Sequence, residues 1–172
     1  MIYPYKDYYP QIAEEVFIAP SADVIGNVKI GKGSSIWFGC LVRGDVDKIE
    51  IGEYTNIQDH SIIHVTGGKY PTIIGNHCTL GHRVTIHGSV LKDYAFIGIG
   101  ATVLDNCTIG SFSILAAGSL LPPGKEIPDG MLAMGVPAKI IRPITDEEKE
   151  MILKTQEKYY KLAQEYKNKI SN

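Results

Sequence analysis

Histidine is the residue type in this 172-residue chain whose placement points most directly to chemistry. The five histidines are His60, His64, His77, His82 and His87. Imidazole is the commonest protein ligand for zinc, and it also exchanges protons near neutral pH. Three imidazoles leave a fourth position on zinc open for water, and iron(II) or cobalt would accept the same ligands. Whether three of these side chains can meet depends on the elements that carry them.

An aliphatic residue recurs every six positions through most of the chain, with longer steps of nine and eleven residues and one shorter step of five. The series is Ile12, Ile18, Val24, Ile30, Ile36, Val42, Ile51, Ile57, Ile63, Ile74, Leu80, Ile86, Leu91, Ile97, Val103, Ile109, Leu115 and Leu121. Three six-residue sides make one coil, and stacked coils bury a continuous apolar column. The spacing therefore predicts a mainly β fold, a parallel β-helix over residues 12–121. The two long steps predict loops at 45–50 and 66–72.

The last quarter of the chain has a different pattern. Proline and glycine interrupt residues 122–144, which predicts an extended return segment. Thr145 and Glu148 then form a capping box, and apolar or aromatic residues follow at spacings of three and four. These residues are Ile152, Thr155, Tyr159, Leu162, Tyr166 and Ile170. We predict one C-terminal α-helix over 145–170, packed along the β-helix within a single domain of residues 1–172.

Stacking of the coils brings distant side chains together. We label the three sides of a coil faces A, B and C, with Ile36 on face A and Val42 on face B. The position after the inward aliphatic residue on face B then holds Arg43, His64 and His87 in successive coils. Adjacent coils lie about 4.8 Å apart, so His64 and His87 should be direct neighbours.

A second column lies on face A. There, His82 should lie directly above Asp59, with Gln58 beside Asp59. Within one chain His82 lies on a different face from His64 and His87, so we expect it to be too far from them to share an ion. A neighbouring subunit across a three-fold axis could bring a third histidine to the pair. His60 and His77 have no histidine above or below them and are interpreted as structural residues.

Composition and charge narrow the classes of partner. The chain has 17 basic and 19 acidic residues, a formal charge of −2. This balance argues against a nucleic-acid partner or a polybasic membrane anchor, and no apolar run is long enough for a transmembrane helix. Cys40, Cys78 and Cys107 are odd in number and lack metal-site spacing, so we expect buried packing residues and a cytoplasmic location.

The repeat resembles the hexapeptide repeat of left-handed parallel β-helices, and the handedness is taken from that resemblance alone. Within this class the chain resembles the γ-class carbonic anhydrases of the compact prokaryotic type. The matching stretches are Val42-Arg-Gly-Asp45, Asn56-Ile-Gln-Asp59, His64 and His82-Arg-Val-Thr-Ile-His87-Gly88. The resemblance covers nearly the whole chain.

The resemblance implies a homotrimeric lyase that reversibly hydrates carbon dioxide to bicarbonate with a metal-bound hydroxide at the subunit interfaces. His64 and His87 of one subunit and His82 of its neighbour would bind zinc, with iron(II) or cobalt as alternatives. Gln58 would orient the hydroxide, and Asn56 would help to hold carbon dioxide. The remaining implied site residues are the charged network Arg43, Asp45 and Asp59, and Tyr159 of the helix.

One departure concerns proton transfer. The family prototype has an acidic loop between its first two histidines, whereas residues 65–72 here contain no carboxylate. Val46 also replaces a second glutamate of the prototype.

Two other functions are compatible with the sequence. Many hexapeptide-repeat proteins are acyltransferases, and either acyl transfer or metal-assisted hydrolysis of a coenzyme A thioester would fit the same scaffold. The third reading is a catalytically silent trimer tied together by its metal. Four protein ligands would favour that scaffold, whereas three ligands and an open position favour an enzyme.

Overall fold

The computed structural model describes residues 1–170, so residues 171–172 of the predicted domain and the side chain of Ile170 lie outside the described part. The described chain is a solenoid of about seven turns followed by one helix, α1 (Asp146–Ile170). Most strands are only two or three residues long. The strands are β1 (Ile2–Tyr3), β2 (Gln11–Ile12), β3 (Phe17–Ile18), β4 (Asp23–Ile30), β5 (Ser35–Ile36), β6 (Leu41–Ile51), β7 (Asn56–Ile57), β8 (Ile62–His64), β9 (Thr72–Ile74), β10 (Thr79–Leu80), β11 (Thr85–His87), β12 (Val90–Leu91), β13 (Phe96–Ile97), β14 (Thr102–Val103), β15 (Thr108–Ile109), β16 (Ile114–Leu115), β17 (Leu120–Leu121), β18 (Glu126–Ile127), β19 (Met131–Gly135) and β20 (Ala138–Pro143).

The strands stack in parallel on three faces. Face A is a separate sheet in the order β20-β19-β16-β13-β10-β7-β5-β3. Face B contains β8, β11, β14 and β17, and face C contains β9, β12, β15 and β18. The long strands β4 and β6 pass from face B to face C and join these two faces into one sheet. The predicted parallel β-helix is confirmed.

The inward column forms the core. Ile36, Ile57, Ile63, Leu80 and Ile86 have no exposed surface, and the same holds within 3% for the series from Val24 to Leu121. Ile12 and Ile18 in the first coil are partly buried. At about 25 cal/mol per Å² of apolar surface, this column is the main source of stability for strands that are too short to be stable alone.

Two predicted boundaries are wrong. Residues 45–50 do not form a loop but lie inside β6, where the register with β4 shifts between Gly26 and Val28. The coil also continues beyond residue 121, because Ile127 pairs with Ile109 and Leu132 pairs with Ile114. Strand β20 then turns back antiparallel to β19. The predicted return segment is therefore a last turn of the coil and a hairpin, whereas 66–72 contains a turn closed by a Thr66–Tyr70 bridge.

The helix begins with the predicted capping box. The Thr145 N–H donates to Glu148 Oε2 at 2.8 Å, and the Glu148 N–H donates to Thr145 Oγ1 at 3.2 Å. Ile152 and Ala163 are fully buried against the coil. Tyr159 packs edge-on against Trp37 of face A, with ring centroids 5.5 Å apart. The helix thus covers face A, the face that carries His82.

An aromatic ladder runs along one corner of the coil. Tyr54, His77, Tyr94 and Phe112 occupy the same corner position in successive turns, and their rings stack with centroids 4.4–5.4 Å apart. Lys149 of α1 lies 4.8 Å from the Phe112 centroid. The stacking of His77 between Tyr54 and Tyr94 agrees with its interpretation as a structural residue.

Cys40, Cys78 and Cys107 are buried, and none forms a disulfide within residues 1–170. Burial raises the pKa of the Cys40 thiol to about 11 and that of Cys78 to about 12. Both thiols therefore stay protonated at neutral pH, as expected for packing residues. Over the same residues, no helix has the length and apolar character needed to cross a membrane.

Candidate metal centre

His64 and His87 are paired across neighbouring strands on face B. His64 ends β8 and His87 ends β11, and the two residues are direct partners in the parallel register. The six-residue side places both side chains one position after a buried isoleucine, so both point outward. His64 Nδ1 lies 3.1 Å from His87 Nε2. Two imidazole nitrogens therefore face the same point on the surface.

A carboxylate contacts the other nitrogen of each ring. His64 Nε2 lies 3.0 Å from Asp45 Oδ1, and His87 Nδ1 lies 2.8 Å from Asp105 Oδ1. A carboxylate accepts a hydrogen bond, so each of these ring nitrogens carries the proton. His64 Nδ1 and His87 Nε2 are then left with bare lone pairs.

His82 lies on face A, in the turn after β10, and is not part of this pair. Its Nδ1 lies 2.8 Å from Asp59 Oδ2, which leaves Nε2 with a lone pair. The side chain is 40% exposed. Among residues 1–170 of the single chain, no three histidine, cysteine or acidic side chains form a group that could hold a metal ion. Each of the three imidazoles has a carboxylate against one ring nitrogen, but His64 and His87 lie on face B and His82 lies on face A.

Gln58 and Asn56 form a fixed pair of amides below His82. Gln58 Nε2 donates to Asn56 Oδ1 at 3.1 Å, and Asn56 Nδ2 donates to Thr79 Oγ1 at 2.8 Å. Both amides are at least 95% buried. With its NH₂ group engaged by Asn56, Gln58 presents its carbonyl oxygen Oε1 as a hydrogen-bond acceptor.

A cavity of about 410 Å³ is lined by Gln58 and His82 on face A and by Thr155 and Tyr159 of the helix. Gln58, His82 and Tyr159 lie at its polar end, and Phe96 and Ile114 contribute to its apolar wall. Burial and the nearby charge of Asp59 raise the pKa of the Tyr159 hydroxyl. Tyr159 is therefore a neutral phenol beside His82 at physiological pH.

Arg43 and Asp45 form a charged pair beside His64. The Arg43 guanidinium donates to Asp45 Oδ2, while Oδ1 of the same carboxylate contacts His64. Partial burial raises the pKa of Asp45, but the hydrogen bonds from His64 and Arg43 have a larger and opposite effect. The pKa of Asp45 is therefore lower than the ordinary value of an aspartate. Asp45 is therefore a stable anion that links the guanidinium to the imidazole.

Sequence reasoning missed Asp105 and Thr72. Asp105 follows β14 in the coil above His87, but it lies one position later in its repeat, so the face B column continues from His87 to Leu104 and passes it by. Thr72 Oγ1 donates to the His64 carbonyl oxygen at 2.6 Å and accepts from the Gly88 N–H at 3.0 Å. It fixes the backbone beside both face B histidines, but no spacing rule marks a threonine at the start of β9.

The donor chemistry of these residues fits a divalent cation. Two bare imidazole lone pairs 3.1 Å apart repel each other unless a cation or a proton lies between them. Metal-ligating histidines commonly donate their second N–H to a carboxylate, as His64, His82 and His87 all do. Neutral imidazoles suit zinc, iron(II) and cobalt alike.

Comparison with known proteins shows the family of this chain. The family of bacterial transferase hexapeptides (six repeats) matches residues 9–44. Gamma carbonic anhydrase 2, a mitochondrial protein of Arabidopsis thaliana, is 47% identical over 92% of this chain. The chain spans only 59% of the length of that relative. A carbonic anhydrase of Geobacillus kaustophilus is 43% identical over 97% of this chain and 91% of its own.

A solved structure has the same fold over its full length. The hexapeptide transferase family protein of Anaplasma phagocytophilum is 43% identical, with a TM-score of 0.93 over 96% of this chain and 98% of its own. Its name refers to the repeat, whereas the relatives named carbonic anhydrase are similar over 92% and 97% of this chain. This chain therefore belongs to the γ-class carbonic anhydrase family of hexapeptide-repeat proteins.

Proposed function

We propose that this protein catalyses the reversible hydration of carbon dioxide to bicarbonate at a metal site shared between subunits. The observation that carries the proposal is the contact between His64 Nδ1 and His87 Nε2, 3.1 Å apart, with a carboxylate against the other nitrogen of each ring. Its relatives named carbonic anhydrase support the same reaction.

The proposed ligands are His64 and His87 of one subunit and His82 of a neighbouring subunit in a homotrimer. Support comes from the chain itself, in which His82 lies on face A with Nε2 available while the other two lie on face B. A triangular prism presents flat faces, and rotation about a three-fold axis brings face A of one copy toward face B of the next. Zinc is the first candidate, with iron(II) or cobalt as alternatives.

A divalent cation held by three neutral imidazoles lowers the pKa of water to about 7 and so supplies a nucleophile at neutral pH. The protein groups around it would direct the reaction. Gln58 Oε1 would accept a hydrogen bond from the attacking water, because its NH₂ group is held by Asn56. The Arg43 guanidinium, fixed by Asp45, suits the planar bicarbonate product. Tyr159 stays protonated and can donate a hydrogen bond from the helix.

The test is stopped-flow carbon dioxide hydration by the full chain, loaded with zinc, loaded anaerobically with iron(II), or stripped by chelator. We expect metal-dependent hydration that falls at least about a hundredfold in His82→Ala. His60→Ala is the matched control, because His60 is exposed and lies outside the proposed ligand set. Absence of hydration in protein that is trimeric and fully metallated would contradict the proposal.

Hydrolysis of a coenzyme A thioester is the second candidate. The cavity of about 410 Å³ next to His82 is mostly apolar and favours an acyl chain. Thioester cleavage by the metallated protein, without carbon dioxide hydration, would establish this function instead.

A further inference from the structure

Asp105 makes two hydrogen bonds that join separate parts of the candidate metal centre. Its Oδ1 accepts from His87 Nδ1 at 2.8 Å and from Thr66 Oγ1 at 2.9 Å. Thr66 belongs to the turn between β8 and β9, which directly follows His64. One carboxylate thus connects the loop after the first face B histidine with the ring of the second.

Gly88 makes room for this arrangement. It has a φ of +56°, and a Cβ at this position would collide with Asp105 Oδ1 and with Tyr70. A side chain after His87 would therefore displace the carboxylate from the imidazole. The contact between Asp105 and His87 requires a glycine at position 88 as well as the two side chains. It is therefore built into the local backbone and is not a chance pairing of surface residues.

The Asp105 contact determines which nitrogen of His87 can bind a metal. With its proton on Nδ1, the His87 ring directs a bare Nε2 toward His64 Nδ1. Without an acceptor at Nδ1, the proton can move to Nε2, and that nitrogen then has no lone pair for a metal until the proton returns to Nδ1.

We propose that Asp105 is a positioning residue of the metal site, which holds the His87 ring in its metal-binding tautomer and orientation and is itself oriented by Thr66. This inference rests on the metal site proposed above. Asp105 acts through His87 and is not a ligand. Outer carboxylates of this kind typically change metal affinity by about 10- to 100-fold.

The test compares zinc affinity of the full chain, measured by competition with a chromogenic chelator, for wild type, Asp105→Ala, Asp105→Asn and Thr66→Val. We expect about 10- to 100-fold weaker zinc binding for Asp105→Ala, and smaller losses for Asp105→Asn and Thr66→Val. Combining Thr66→Val with Asp105→Ala should add little, because both changes remove the same support.

Asp93→Asn is the matched control. Asp93 is also a corner aspartate packed against a glycine, but its Oδ1 accepts from the Asn76 N–H and from no histidine. Its zinc affinity should equal that of wild type. A general loss of corner structure would instead weaken zinc binding equally in Asp93→Asn and Asp105→Asn, and that result would overturn the proposal.

Nitrogen-15 NMR of the metal-free wild type gives a readout that does not depend on folding of any variant. We expect His87 to carry its proton on Nδ1, and Asp105→Ala to shift that proton toward Nε2. A proton on Nε2 in wild type would overturn the positioning role. Unchanged zinc affinity in Asp105→Ala, in a protein that binds zinc and loses it in His87→Ala, would do the same while leaving the proposed function intact. Failure of wild type to bind any of zinc, iron(II) and cobalt would instead count against the proposed function.

Discussion

At the residue scale, the candidate centre consists of three imidazole–carboxylate pairs and one amide pair. His64, His82 and His87 each have one ring nitrogen against an aspartate, which fixes the proton and leaves the other nitrogen bare. Gln58 is fixed in the same way by Asn56. The arrangement orients every donor before any ligand binds, and such preorganisation is the main protein contribution to metal affinity and to catalysis.

The six-residue period was sufficient to predict the histidine and aspartate columns. Equal spacing puts equivalent positions in register, so His64 and His87, and Asp59 and His82, could be paired without coordinates. The period was not sufficient to predict hydrogen-bond partners that lie at a different position of the repeat or in a loop. Asp105 lies one coil farther and one position later than His87 in its repeat, and Thr66 lies in a turn that no period describes.

Removing the Asn56 amide should weaken catalysis through Gln58. In Asn56→Ala the Gln58 NH₂ group loses its acceptor and the amide can rotate, which costs about 1 kcal/mol of oriented hydrogen bonding. We expect kcat for carbon dioxide hydration to fall about fivefold with metal content unchanged. Asn76→Ala, which removes an amide at another corner, should retain the wild-type rate. Equal rates in both variants would contradict the proposed role of the Asn56–Gln58 pair.

Proton removal should limit turnover in this chain. Residues 65–72 contain no carboxylate, and Val46, beside Asp45, is 52% exposed. We expect hydration rates to rise severalfold with buffer concentration, because external buffer must accept the proton. Val46→Glu should reduce that dependence, whereas Ile141→Glu on the exposed β19–β20 hairpin should not. Rates of the wild type that stay flat across buffer concentrations would contradict this prediction.

At the element scale, each strand depends on its neighbours in the stack and the helix depends on its cap. The strands were predictable because each side contributes one buried aliphatic residue. The predicted boundaries were wrong where the backbone is extended but its side chains are not buried. Residues 45–48 of β6 contribute no core side chain, but their backbone stays extended as the strand passes from face B to face C. Periodicity reports which side chains are buried, so an extended but exposed segment resembles a loop.

The last coil was missed for a related reason. Ile127 and Ala133 continue the six-residue spacing after Leu121 and are almost fully buried. Proline and glycine around them are typical of loops, which masked the period. These residues fit because the corners of a coil need no strand hydrogen bonds, and proline is tolerated where a backbone N–H has no partner.

The capping box supports a prediction on pH. The Arg142 side chain and the Thr145 N–H lower the pKa of Glu148 from 4.5 to about 2. A lowered pKa means that this contribution is complete above about pH 4.5 and is lost as the pH falls toward about 2. Glu148→Gln should therefore reduce the free energy of unfolding by about 1 kcal/mol at neutral pH, and by progressively less in acid.

Urea unfolding followed by circular dichroism, from neutral pH to about pH 3, would measure the difference in free energy of unfolding between wild type and Glu148→Gln. Glu165→Gln, at an exposed position later in α1, should show no such pattern. A gap between wild type and Glu148→Gln that stays constant with pH would contradict the assignment of the low pKa to Glu148.

At the scale of the whole molecule, the distribution of the histidines over two faces predicts exchange between subunits. His82→Ala and His87→Ala trimers should each be inactive, because every site lacks one ligand. A mixed trimer contains one interface at which an intact His64–His87 pair meets an intact His82. Refolding equal amounts of the two variants together should therefore restore about a quarter of the wild-type sites.

Hydration activity and bound zinc of the refolded mixture would measure this recovery. Mixing His64→Ala with His87→Ala should restore nothing, because both changes affect the same face of the same subunit. Recovery in that second mixture, or none in the first, would contradict a site built from His64 and His87 of one subunit and His82 of another.

The hairpin at the end of the coil has a further consequence for how copies of the chain can assemble. The first and last coils of a solenoid have neighbours on one side only, so open ends expose unpaired backbone groups and allow elongation into a filament by end-to-end stacking. Here β20 runs antiparallel over the end of face A, and faces B and C end in the two-residue strands β17 and β18, each followed by proline. Axial growth is thereby discouraged, and the flat sides of the prism are left as the surfaces for association.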